Sequence, residues 1–88
     1  MPEATTSHTT YLVKNWDYKQ AVLPNIVILH IEQADGTRIL GLTEAGQMLR
    51  EGFNSCGVGL CNNMITSVYD DWGTGIPVTF LRRKVLSC

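Results

Sequence analysis

A carboxylate and a carboxamide flank a tryptophan in the run Lys14-Asn15-Trp16-Asp17, at the mouth of an apolar, β-branched stretch. By residue type, Asp17 reads as a loop cap, because aspartate is common at turns. A second polar pair, Asn62-Asn63, interrupts an otherwise apolar segment. Amides in such a setting need hydrogen-bond partners if buried, or else belong to a strand end open to water. The three cysteines, Cys56, Cys61 and Cys88, are odd in number and contain no close Cys-x-x-Cys pair. They do not make a disulfide framework and read as reduced, intracellular thiols. His8, His30, Cys56 and Cys61 lack the ligand spacing of a zinc site, so no metal is expected.

The elements that must position these residues follow from local signals. Residues 1–9 are small and polar and read as a loop or frayed end, and Thr10–Lys14 as a short strand. Asn25–Gln33 carries the strongest strand pattern, with Val27, Leu29 and Ile31 on one face and Ile26, Ile28 and His30 on the other. Apolar residues on both faces imply a strand covered on both sides. Asp35-Gly36 is a hairpin signal, since glycine supplies the positive φ that tight turns require. It leads into a strand at Arg38–Thr43. Further turns at Glu44-Ala45-Gly46 and Asn54-Ser55-Cys56-Gly57 bracket strands at Gln47–Asn54 and Val58–Thr66. In that last strand Asn62 and Asn63 would point to opposite faces. Asn54 and Glu44 read as structural turn or strand-end residues, and Tyr69–Gly75 as irregular. Pro77 then opens a helix. Leu81, Val85 and Cys88 recur at helical spacing as its inward stripe, with Phe80 beside them and Arg82 and Arg83 off it. The fold class expected is α+β: an antiparallel β meander plus a C-terminal helix.

Composition narrows the partners. Eighty-eight residues make one domain at most. Charged residues reach only 17%, against about 25% in an average globular protein. A small domain should need more charge than average, so part of this surface is expected to be covered by more protein. Net charge is −1 and the only basic run is Arg82-Arg83-Lys84, which leaves no broad footprint for nucleic acid. No window approaches the roughly 18 apolar residues of a membrane span.

The block order "KNWDY", "LTEAGQ", "GFNSCGVGLCNN" and "TGIPVTFLRRKVL" resembles the penicillin acyltransferase-like family. These are N-terminal-nucleophile cysteine hydrolases related to acyl-coenzyme A:isopenicillin N acyltransferase. The resemblance implies an αββα sandwich and maturation by self-cleavage ahead of a cysteine whose own α-amino group serves as base. It implies that Asp17 orients that amino end, with Trp16 anchoring the turn by burial, and that Asn63 is an oxyanion donor. Substrates would be small-molecule acyl amides or acyl-coenzyme A, with no cofactor. None of the three cysteines matches the nucleophile, whose place by the family's interval falls just before Met1. "MPEAT" would continue the strand that follows it. The helical pattern still runs at Cys88. Residues 1–88 are therefore expected to be a fragment of a single acyltransferase or hydrolase domain, inactive without the remainder of that domain. Peroxisomal addressing, known for some relatives, rests on a C-terminal signal these residues do not contain. The competing expectation is a small non-enzymatic α+β interaction module that uses its helix as a docking face.

Overall fold

The computed structural model describes residues 2–71 and 73–88. Met1 and Trp72, which belong to the expected N-terminal segment and the irregular stretch 69–75, lie outside them. The described residues fold as a four-stranded antiparallel meander with one α-helix. The strands are β1 (Ile26–Glu32), β2 (Arg38–Glu44), β3 (Glu51–Asn54) and β4 (Gly59–Leu60), in that spatial order. The helix, α1, spans Val78–Val85. Among the described residues no helix is long and apolar enough to cross a membrane.

Local chemistry closes each hairpin. At the first, Gly36 takes φ +90° and the Asp35 carboxylate accepts the Thr37 N–H at 2.9 Å. Gln33 N–H donates to Thr37 O at 2.9 Å, which sets the register from Glu32↔Arg38 to Ile26↔Glu44. Gly46 and Gly57, both at φ +88°, turn the chain after β2 and β3.

Gly41 and Gly52 face each other across β2 and β3. The missing side chain of Gly41 leaves a dent that Leu49 fills, lying directly against it. This explains why β3 is shorter than the expected Gln47–Asn54: residues 47–49 leave the strand line so that Leu49, fully buried, can plug the core, while Arg50 N–H still donates to Leu42 O at 3.1 Å. Ile39, Leu49 and Leu86 form that core, with Leu29, Ile31, Val58 and Leu60 packed around them.

Alternation puts Val27, Leu29, Ile31 and Ile39 on the face that meets the helix, and Ile28, Leu40, Leu42 and Phe53 on the other. The second face is not covered on the scale expected for β1. Ile28 is 72% exposed and Phe53 48%. Thr10–Lys14, expected as a strand, crosses this face without pairing into the sheet, so Leu12 lines only a shallow apolar groove there. Pro2–Ala4 is a single 3-10 turn, not a strand continuation. The expected strand Val58–Thr66 pairs only at Gly59–Leu60.

The helix docks in a different phase from the one expected. Pro77 is its N-cap, and its carbonyl accepts the Phe80 and Leu81 N–H groups. Thr79, Arg82, Arg83 and Leu86, at i, i+3, i+4 and i+7, are the covered positions, and Leu81 and Val85 stay 45% and 44% exposed. Hydrogen bonds decide this. Arg83 Nη1 donates to Gln33 Oε1 at 3.1 Å, and Arg82 meets Asn62, so their guanidiniums find acceptors while their stems cover apolar surface. Asn54 locks the helix end, donating to Leu86 O and Cys88 O, both at 2.9 Å. Its oxygen accepts the Cys56 and Val58 N–H groups. Asn54 is thus structural, as its sequence context suggested.

Candidate functional site

The segment Lys14–Tyr18 is held by alternate residues. Lys14 Nζ lies 3.0 Å from Glu51 Oε2. Trp16 and Tyr18 stack at 6.0 Å between ring centroids, with the Arg50 guanidinium 5.1 Å and 4.6 Å from them. Such contacts add a cation–π attraction to the rings' burial. Trp16 is therefore placed by Arg50 as much as by apolar contact.

Arg50 is itself fixed. Its Nε and Nη2 reach Glu44 Oε2 and Oε1 at 2.6 and 2.7 Å, a bidentate pair at the end of β2. The hydrogen bonds from Arg50 hold the Glu44 carboxyl below the usual carboxylate range, and the same pairing pushes the Arg50 guanidinium up. Glu44 is a strand-end partner, as its position in Leu42-Thr43-Glu44 suggested.

With 14, 16 and 18 engaged, Asp17 is left exposed, and it makes no hydrogen bond among the described residues. It lines an open cleft of about 420 Å³ between this segment, residues 62–64 and the start of α1. Asn63 lines the same cleft. The two residues singled out in the sequence, 46 positions apart along the chain, therefore border one cleft.

Asn62 lines it too. The expectation that it faces away from Asn63 rested on strand alternation, and residues 61–67 form no strand. With its amide oriented by the hydrogen-bond network, Asn62 donates to Arg50 O and accepts from Arg82 Nη2, each at 3.0 Å. Arg82 also borders the cleft. Burial, and then repulsion from Arg50, pull its guanidinium pKa down. Sequence reasoning missed Arg50 and Arg82. Arg82 lies in a basic run that reads as a solvated helix face, and only the helix phase turns it inward.

The cysteines are free and exposed, and none lines this cleft. His30 is exposed, with Nε2 3.9 Å from Glu32 Oε1. Among the described residues no group of three or more His, Cys, Asp or Glu side chains could hold a metal ion. Comparison with protein families, curated proteins and solved structures finds no match to this chain.

Proposed function

We propose that these residues form one sheet-and-helix half of an αββα N-terminal-nucleophile hydrolase or acyltransferase, acting on non-peptide acyl amides. The observation that carries the proposal is the convergence of Asp17 and Asn63 on one cleft. In this reading a cysteine supplied by sequence outside these residues sits at the cleft. Its α-amine, with a pKa of about 7.7–8.0, takes the thiol proton as the sulfur attacks the acyl carbonyl. The α-amine gives that proton to the departing amine as the C–N bond breaks, leaving a thioester that water or an acceptor then cleaves. The Asp17 carboxylate accepts hydrogen bonds from that amine, and the Asn63 amide donates to the developing oxyanion. The bare apolar face of the sheet, with Ile28, Leu40 and Phe53 exposed, supports the sandwich: in that architecture each sheet carries a helix on one face and the second sheet on the other.

The test is acyl-amide hydrolysis by a chain extended upstream to include an in-frame Gly-Cys pair. Asp17→Asn and Asn63→Ala are each expected to lose turnover, the latter on the order of 100-fold. Full activity in both would remove the assignment.

One observation favours the interaction-module reading. The apolar stripe Val78, Leu81 and Val85 faces outward on α1, as a docking helix requires. A stop codon in frame immediately upstream would select that reading, and a Gly-Cys pair the enzyme.

A further inference from the structure

Two of the three cysteines meet at the end of α1. Asn54 holds both of their backbones on one side-chain amide: its Oδ1 accepts the Cys56 N–H at 3.0 Å, and its Nδ2 donates to Cys88 O at 2.9 Å. A second set of contacts, through different residues, leads from the Cys56 thiol to the same place. Cys56 Sγ lies 3.9 Å from Thr37 Oγ1, Thr37 O accepts the Gln33 N–H at 2.9 Å, and Gln33 Nε2 donates to Ser87 O at 3.3 Å. Gln33 Oε1 also accepts from Arg83 Nη1, so this route runs on the helix side of the sheet. Cys61 lies elsewhere, lining the groove with Leu12, Leu40 and Phe53 on the bare face. Both Cys56 and Cys88 are exposed and free.

We propose that Cys56 and Cys88 form a reversible disulfide that fastens the end of α1 to the β3–β4 turn, with a small disulfide such as glutathione disulfide as the oxidant. A bridge requires about 4.4–6.8 Å between Cα atoms, and here one amide with its two hydrogen bonds spans the gap between the backbones. Cys88 lies beyond the last helical residue, Val85. Its thiol has to give up only a weak S–H bond to Lys84 O at 3.5 Å. One thiolate displaces glutathione from the oxidant and leaves a mixed disulfide. The second thiolate then attacks that protein sulfur and releases the other glutathione. The protein loses two thiol hydrogens and gains one S–S bond, while glutathione disulfide takes up both electrons and both protons and becomes two thiols. The loop so closed contains Asn62, Asn63 and the whole of α1. Oxidation therefore pins the helix phase that turns Arg82 inward, and reduction releases it. The inference needs no acyl chemistry and stands apart from the reading above.

The experiment equilibrates the reduced chain, at dilute concentration, with glutathione buffers of rising disulfide content, then traps free thiols by alkylation. Intact mass and peptide mapping are expected to show the loss of two hydrogens, an alkylated Cys61 and a Cys56–Cys88 link. Cys61→Ser should keep the link, whereas Cys56→Ser and Cys88→Ser should each abolish it; all three replace exposed residues. The oxidised chain should melt roughly 10 °C or more above the reduced one, a shift that dithiothreitol reverses and Cys88→Ser lacks. In denaturing urea, loop closure favours the nearer pair, Cys56 and Cys61, so a Cys56–Cys88 link reports the folded arrangement. A link through Cys61 in the folded chain, bridges only between chains, mixed disulfides that persist unresolved, or an oxidised form that melts no higher than the reduced one would each overturn the inference.

Discussion

Replacing Asn54 with alanine should remove much of this protein's stability, although the residue touches no candidate site group. Its side chain makes four hydrogen bonds at 2.9–3.0 Å: two accepted from Cys56 and Val58 within the β3–β4 turn, two donated to Leu86 and Cys88 at the helix end. The turn N–H groups can rehydrate in the variant, so their loss costs about 1 kcal/mol together. The Leu86 carbonyl is different. Leu86 is fully buried, so its stranded acceptor carries a desolvation penalty of about 1–3 kcal/mol. The sum is about 2–4 kcal/mol, set against a total of roughly 4–13 kcal/mol for a chain of this length. Urea unfolding followed by tryptophan fluorescence reads it directly, and a thermal midpoint should fall by roughly 10–25 °C. Asn54→Asp sharpens the test. It keeps an acceptor for the turn but turns a carboxylate oxygen toward two carbonyls, so it should be at least as destabilised. A change below about 0.5 kcal/mol in Asn54→Ala, or wild-type stability in Asn54→Asp, would refute the role given to this residue.

Three further outcomes follow from the packing and the charges. Gly52→Ala places a Cβ against the Leu40 carbonyl oxygen and 2.7 Å from Gly41 Cα. Because backbone cannot yield as a side chain can, a loss of about 1–3 kcal/mol and faster amide exchange in the β2–β3 ladder are expected. Gly75→Ala, with nothing within 4 Å, should be near neutral by the same assay. Glu44 has a carboxyl pKa held below 4.5 by Arg50. Its pairing therefore stabilises fully above that pH and fades as pH falls through the folded-state value. Urea unfolding from pH 7 downward should show Glu44→Gln less stable at neutral pH, with the gap to wild type closing in acid. A gap constant over that range would contradict the pairing.

The parts of this structure written in the sequence are those decided within a few residues. Asp35-Gly36, Gly46 and Gly57 specify their turns because a carboxylate acceptor or a positive φ is a local requirement, satisfied in the same place whatever the rest of the chain does. β1 and β2 follow from those turns and from their apolar content. Asp17 and Asn63 are legible by residue type and by the resemblance that the blocks around them carry. Tertiary structure decided what depends on competition between distant groups. The helix offers two stripes at helical spacing, one apolar at Val78, Leu81 and Val85, the other mixed at Thr79, Arg82, Arg83 and Leu86. Hydrophobicity alone selects the first. The second docks, because Gln33, Asn54 and Asn62 present partners that a guanidinium and the helix-end carbonyls can use only in that phase. The same rotation brings Arg82 to the cleft. Likewise, Leu49 leaves its strand line to fill the space beside Gly41, far enough from it along the chain that no local signal marks the contact. Periodicity reports which faces a segment possesses, and hydrogen-bond partners far along the chain choose between them.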